Sequence, residues 1–494
     1  MVKYQEYIQE QNFFIVIDKD INFPQGSFVR FINDFVDKHI DIENFKEKRK
    51  NDKIGAPAKH AKMMLKVLFY GLSQGIYSMR LIAGKYIPYH LDFIYLSGYQ
   101  TVDHSTLSRF INLYRKEIIE IFTRTLYISH NMEYVTKKLV AIDGCKIKAN
   151  ASKKFTGSYK TFQKRKETYK KMIKNLMERM ERVNAREIKG EITKREVKKE
   201  KERIKRLKNS YKYALRRVED FIEEVNEDES KKKGQVNLID RDSGLMEKDN
   251  KYFQGYNCQV AANDYGLIIY NDVTGKASDR GLTEDVVKET IKRLKETGIK
   301  EERIEGYNFL LDKGYHNSES IGNIMREGYK VLIPFHENKG IERSMKVLSN
   351  HCKISKKGKV CKIECPGGLK ARREKAIKDR DNYYYKFFFY KGQCKGCKYY
   401  EKCSGLVKNE KKFSIKKEIF DNLKELNELR KNMKDKDKKD KYNKRMGIVE
   451  PVFGTIANRG FKTFLVRGKE KVKCQWSMLS TAFNLRRLFS LQNG

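Results

Sequence analysis

Residues 139–149 read Leu-Val-Ala-Ile-Asp-Gly-Cys-Lys-Ile-Lys-Ala. Leu139 to Ile142 is an apolar run of strand length, expected to be buried in a sheet. Asp143 and Gly144 are turn formers and are expected to end it. Lys146 to Ala149 alternate in polarity, as an adjoining strand would. The arrangement returns at Asn308–Asp312, Asn-Phe-Leu-Leu-Asp. A carboxylate just past an apolar strand stands where a site at the strand ends would need it, although Asp also follows strands simply as a turn residue. From Gln235 onward, short apolar or alternating runs bounded by Gly, Asn and Asp predict further strands. An amphipathic helix interrupts them, with Thr283 as its cap and Gly298 as its stop. Strands leading into strand–helix–strand units predict an α/β or α+β fold with a mixed sheet.

Residues 1–135 carry apolar positions at helical spacing and predict a helical domain for DNA binding or dimerisation, with residues 136–494 as the sheet-containing domain. Asp103 or Ser105 is expected to cap a helix there. Ser78–Phe110 has the pattern of a helix-turn-helix, with Ser105, Thr106, Ser108 and Arg109 either near a DNA groove or in plain helix packing. Residues 160–230 are dense in Lys, Arg and Glu and contain no proline. Apolar residues recur there at Ile173, Leu176, Met180 and Val183, then at Ile204, Leu207, Tyr211, Leu215, Val218 and Ile222, the spacing of amphipathic helices. Gly190 is placed to reverse the chain, which predicts a helical hairpin. That hairpin faces DNA or forms a dimer, or is a solvated insertion. Residues 413–447 read as a charged helix that decays over Lys431–Arg445 into a solvated linker or disordered run. The end of the chain regains apolar periodicity and closes on a helix.

Lys and Arg number 106 against 65 Asp and Glu in 494 residues, a formal net charge of +41. A charge of that size, spread over most of the chain, resists compaction and calls for a polyanionic partner. A hydrophobic content of 39% with 12% aromatic residues excludes a fully disordered chain, and six prolines exclude proline-rich or collagen-like repeats. No apolar run approaches the ~20 residues that span a bilayer. The first residues lack the pattern of a secretory signal, so a cytoplasmic location with reduced thiols is expected.

Cys145, Cys258 and Cys474 are isolated, and the other six of nine cysteines lie between Cys352 and Cys403. Such a cluster in a reducing compartment reads as metal-binding. Cys394-x2-Cys397-x5-Cys403 contains the knuckle of tetrahedral Zn²⁺, with Cys365 as the expected fourth ligand and Cys352 and Cys361 as rivals. A structural zinc would brace an insertion over residues 340–410 that is too small for a core of its own.

Glu450 stands between Val449 and Pro451 with apolar residues on both sides, which argues against a solvated face. Asp143, Asp312 and Glu450, with no Ser, Cys or His dyad in view, favour a hard divalent ion, Mg²⁺ or Mn²⁺. Three carboxylates can hold two such ions roughly 4 Å apart, one activating an attacking oxygen and the other stabilising the leaving one. Asp240, Asp242, Asp272 and Asp279 also follow strand-like runs and compete for the same place.

Val140–Ser152 (VAIDGCKIKANAS), Phe253–Ala262 (FQGYNCQVAA), Leu310–Tyr315 (LLDKGY), Ile448–Gly454 (IVEPVFG) and Gly460–Gly468 (GFKTFLVRG) occur in this order. Together they resemble the DDE-type transposases of bacterial insertion sequences, from about residue 50 onward. The similarity is closest to a subgroup with a cysteine cluster ahead of the catalytic glutamate. The resemblance implies an RNase H-like sheet, with Asp143 and Asp312 as the two catalytic aspartates and Glu450 as the glutamate on a late helix. It implies double-stranded DNA as the partner (inverted repeats and target), a homodimer or larger assembly, and nucleoid association. Asp240 and Asp242 match a stretch read as structural or supporting. Many relatives show Tyr-x2-Arg-x3-Glu-x6-Lys around the glutamate. Here Tyr442-x2-Arg445 stands, but four residues separate Arg445 from Glu450, and Ala457 holds the Lys position. Arg459 or Lys462 is expected to substitute, joining Tyr442, Arg445, Lys146 and Lys148 in holding DNA phosphates. A non-catalytic nucleic-acid-binding relative and a metal-dependent nuclease without strand transfer are the other readings.

Overall fold

A computed structural model of the chain describes residues 18–45, 57–135, 138–232, 234–335, 354–357, 360–363, 370–371, 373–379, 382–390, 392, 406–407 and 410–493. The chain divides into two units, one of residues 1–125, 459–461 and 477–494, the other of residues 126–458 and 462–476. The boundary thus falls inside a helix, ahead of the expected position at residue 135, and the last residues of the chain join the helical unit.

The helical unit contains α1 (Phe28–His39), α2 (Ala61–Ser73), α3 (Leu91–Ser97), α4 (His104–Leu113) and the first part of α5 (Arg115–Asn131). Its core draws Ile32, Val36, Leu68, Phe69, Phe93 and Phe110 from these helices and Leu479, Leu485 and Leu488 from the C-terminal segment. Asp103 caps α4, its carboxylate accepting the Ser105 amide at 2.7 Å. On α4, Leu107 and Phe110 are buried, and Arg109 is exposed and bonded back to Ser105.

The second unit is built on a six-stranded sheet: β1 (Leu139–Lys148), β2 (Gly244–Lys248), β3 (Lys251–Asn263), β4 (Ile268–Thr274), β5 (Asn308–Leu311) and β6 (Lys330–Leu332). The order is β2-β3-β1-β5-β6, with β4 also on β3. β1 is antiparallel to β3 and parallel to β5, and β5 is parallel to β6, so the sheet is mixed as expected. β1 does not end at Asp143. It runs on to Lys148 because β3 pairs with it from Val140 to Lys148 and uses the backbone groups that a turn would have freed. Only the parallel partner stops early, at Leu311 opposite Ile142.

The hairpin insertion is present as α6 (Tyr159–Ile188) and α7 (Lys194–Glu227), joined through Gly190 at φ 69°. The pairs Phe162–Phe221 and Lys201–Glu187 show the two helices to be antiparallel. Between β4 and β5, α8 (Thr283–Glu296) buries Val286, Val287, Ile291 and Leu294 in the sheet's main core. Each such side chain contributes roughly 1.5–3 kcal/mol on burial. Thr283 is not its cap. It is the first helical residue and buried, and its hydroxyl donates to the carbonyls of Arg280 and Tyr315. Gly298, at φ 91°, stops the helix as expected. α9 (Ser318–Arg326) links β5 to β6.

The stretch Lys431–Arg445, expected to be a linker or disordered, is helical. α10 (Leu423–Lys434) is followed at once by α11 (Lys436–Asn458). Asp435 makes the restart possible, its carboxylate accepting the Lys438 amide at 3.0 Å. The chain closes on α12 (Lys469–Asn493), whose residues to Trp476 belong with the sheet and whose later ones belong with the helical unit. Between residues 370 and 416, strands Arg373–Asp379, Asn382–Tyr390, Leu406–Val407 and Glu410–Lys416 form a separate sheet. Among the described residues no helix is long and apolar enough to cross a membrane.

Candidate active site

The parallel register Ile142↔Leu311 makes Asp143 and Asp312 the next residue on each of two neighbouring strands. Asp143 continues β1, its Oδ1 accepting the Gly144 amide at 2.8 Å. Asp312 leaves β5 and caps the short turn Lys313–Tyr315, its Oδ2 accepting the Gly314 amide at 3.2 Å. Arg445 of α11 reaches both. Its Nη1 lies 2.9 Å from Asp143 Oδ2 and its Nη2 lies 3.3 Å from Asp312 Oδ1. The Arg445 side chain is 10% exposed and that of Asp312 46%, so the pair forms an edge of the site open to solvent on one side. Burial pushes the Asp143 carboxyl above its ordinary range, against the opposing pull of the Gly144 amide and Arg445. Tyr442, one helical turn before Arg445, is half-buried, and burial likewise holds its hydroxyl protonated.

β3 supplies the floor. Gln259 lies opposite Gly144 and Asn257 opposite Lys146. The Gln259 amide donates to Asn257 Oδ1 and to Asp279 Oδ1, each at 3.0 Å, and the Asn257 amide donates to Asp279 Oδ1 at 2.7 Å. The buried Tyr315 hydroxyl donates to Gln259 Oε1. This network lies against Gly144: a Cβ there would stand 2.5 Å from Gln259 Nε2 and 2.8 Å from Asn257 Oδ1, so any larger residue would have to displace these hydrogen-bonded side chains. Asn257 and Gln259 went unremarked in the sequence. Their signal was polar residues at alternate positions in an otherwise buried strand, where an amide needs partners.

Other expected residues fall elsewhere. α11 turns Arg445, Ile448, Val449, Val452 and Ile456 inward. Glu450, five residues on from Arg445, is about 140° round the helix at 100° per residue, and it is exposed. Its apolar neighbours therefore do not bury it, because a helix turns Val449 and Val452 inward while Glu450 faces out. Among the described residues no group of three His, Cys, Asp or Glu is placed to hold a metal ion. Arg445, expected at a phosphate, is engaged by the two aspartates. Arg459 lies in the helical unit and donates to the Ser73 carbonyl. Lys462 and Lys148 are exposed, and Lys146 donates to the Glu247 carbonyl at 3.1 Å. Asp240 is buried, accepting the Tyr256 hydroxyl at 2.7 Å and the Gly468 amide at 3.2 Å. Asp242 accepts the Lys469 amide at 2.8 Å, and Asp272 pairs with Lys473 at 3.1 Å. These three serve the approach to α12 and its first turns. Cys365, Cys394, Cys397 and Cys403 lie outside the described residues, so the geometry of the expected zinc site does too.

The donors at the centre are all oxygens, and two carboxylates already converge on one cation, the Arg445 guanidinium. Hard oxygen donors of this kind suit Mg²⁺ or Mn²⁺. Residues 364–489 match a family model described as Transposase DDE domain, and residues 17–113 match one described as Transposase domain (DUF772). The first match includes Arg445 and Glu450 and begins after Asp312. No curated protein and no solved structure matches the chain.

Proposed function

We propose that the protein, which carries matches to both of these domains in one chain, is a DDE-type insertion-sequence transposase that binds the terminal inverted repeats of its element, cuts the DNA there and joins the 3′ ends to target DNA. The observation that carries the proposal is the pairing of Asp143 and Asp312 across two parallel strands, with Arg445 between them. Binding phosphates alone gives no reason to bring two carboxylates together, which favours catalysis over a purely DNA-binding role. Asp143 and Asp312 would hold Mg²⁺ or Mn²⁺; Glu450, which α11 turns to its exposed face here, is proposed as the third carboxylate from its place in the motif Ile448–Gly454 alone. The ion, when bound, activates the attacking water or 3′-hydroxyl and stabilises the leaving oxygen. Arg445 keeps the two aspartates side by side against their mutual repulsion. Tyr442 lies half-buried beside it. The strand order around β1 supports an RNase H-like assignment for the sheet.

Lys146, Lys148 and Lys462 are proposed to hold phosphates near the cut, joined by the basic faces of the hairpin. Two DNA ends must be held at once, which implies a dimer or larger assembly. The cysteine cluster is proposed to bind one structural Zn²⁺. Asp143→Asn tests the central assignment. It should abolish strand cleavage while inverted-repeat DNA is bound as well as by wild type. Loss of binding and cleavage together would overturn the catalytic assignment.

A further inference from the structure

Cys145 and Cys258 are isolated in the sequence, but the antiparallel register of β1 and β3 sets them directly opposite each other. Both are free thiols. Further along the same ladder the Ala149 amide donates to the Gln254 carbonyl at 2.9 Å. Opposite residues joined in this way have Cα atoms about 5.5 Å apart, and pairs of this class recur at every second position. Counted back along the register, the class includes Ile147 with Tyr256 and Cys145 with Cys258. Disulfides usually span Cα separations of about 4.4–6.8 Å, so a bridge here needs no displacement of either strand. Opposite side chains also share a face of the sheet. The thiols are already neighbours: burial first, and then a hydrogen bond with the Cys145 thiol, push the Cys258 thiol up.

The two differ in access. Cys258 is fully buried, and its thiol also donates to the Tyr256 carbonyl at 3.9 Å. Cys145 is half-buried, so a small reagent in solvent meets its sulfur first. Side chains alternate along a strand, so Cys145 lies on the same face of β1 as Asp143, the face that Arg445 reaches.

We propose that Cys145 and Cys258 are a reversible dithiol–disulfide couple, oxidised by a hydroperoxide and reduced by a dithiol, which ties the strand of Asp143 covalently to its neighbour. With hydrogen peroxide, the Cys145 sulfur attacks one peroxide oxygen and the O–O bond breaks. The sulfur is oxidised to a sulfenic acid, and the departing hydroxide takes the thiol proton and leaves as water. The Cys258 sulfur then attacks the Cys145 sulfur. The S–S bond forms, the S–O bond breaks, and the hydroxyl leaves with the Cys258 proton as a second water. The two thiols together lose two electrons and the peroxide gains them. A dithiol reverses the change by two exchange steps and is itself oxidised to a disulfide. The proposal stands independently of the reading of Asp143 and Asp312 as a metal-binding pair.

The test uses the full-length protein, reduced, freed of reductant, exposed to hydrogen peroxide, alkylated with N-ethylmaleimide and mapped by mass spectrometry after tryptic digestion. The peptides carrying Cys145 and Cys258 should be lost together as free thiols. One linked peptide, lighter than their sum by two hydrogens, should replace them, and dithiothreitol should restore both. Cys258→Ser removes the second sulfur, so Cys145 should stop at the sulfenic acid and be captured by dimedone. If Cys258→Ser does not fold, the wild-type map decides alone. Oxidation that leaves both cysteines as free thiols, carries Cys145 to the sulfinic acid, or joins either one to Cys474 or to a cysteine of the cluster would overturn the proposal.

Discussion

At Asp143 burial and charge pull in opposite directions. Its carboxyl is raised, so the folded state holds the proton more tightly than the unfolded chain does. The sign follows from linkage: the stability from this group is present below the unfolded carboxylate pKa and is lost as pH rises through the raised value. Arg445 limits that loss. Removing it in Arg445→Met leaves two facing carboxylates without their cation. The cost should be about 2 kcal/mol at neutral pH, less than the loss of a fully buried partner because Asp143 stays partly solvated. Urea melts at pH 5 and pH 8 should show a larger deficit at pH 8, and an equal deficit would contradict the assigned role. Gly144 is limited by space. Gly144→Ala pushes a methyl group into the Asn257–Gln259–Asp279 network, and overpacking of this kind costs about 1–3 kcal/mol. The variant should unfold at lower urea and cleave poorly while still binding DNA. Wild-type stability would mean that the network yields freely.

The hairpin shows what an element can do with little core. Phe162, Val218, Phe221, Val225 and Leu238 form one apolar cluster near its base, and Val183, Val197 and Ile204 form another toward its far end. Between them Met172, Leu207 and Tyr213 are exposed, at 41%, 39% and 47%. With so thin a seam the helix ends matter. Thr193 and Glu196 make a reciprocal capping box at the start of α7, with the Glu196 amide 3.3 Å from Thr193 Oγ1 and the Thr193 amide 3.0 Å from Glu196 Oε2. Thr193→Ala should cost about 1 kcal/mol locally. Amide hydrogen exchange should then quicken over residues 194–204 and not in the central sheet. Uniform quickening would mean that the hairpin and the sheet unfold together.

For the whole molecule the dominant quantity is the charge of +41. If the hairpin lies along DNA, each phosphate it contacts adds about 0.9 to the salt slope of binding. Replacing residues 163–227 with a short Gly/Ser linker should lower that slope. An unchanged slope in a folded protein would assign the hairpin to dimerisation, which light scattering would then detect. The cysteine cluster should yield about one zinc per chain when the protein is purified without chelator. Finding none would remove zinc from the description.

The sequence by itself determined the kinds of element and the two aspartates. Helical periodicity, alternation and glycine stops are local properties, so the hairpin turning at Gly190, the stop at Gly298 and the apolar strands ahead of Asp143 and Asp312 were all legible. Charge patterning failed at Lys431–Arg445, where a dense run of charges looked unstructured but a single Asp435 restarts a helix that carries Arg445 inward. Only the tertiary structure decided which groups meet. Register across β1 and β5 set Asp143 beside Asp312, and register across β1 and β3 set Cys145 opposite Cys258 and Gly144 against Gln259. The helical phase of α11 gave the space between the aspartates to Arg445 and turned Glu450 outward. The fold of the β4–α8 loop brought in Asp279, which in sequence was one aspartate among several. Strand pairing and helix phase link residues far apart in the chain, and no local pattern encodes such distances.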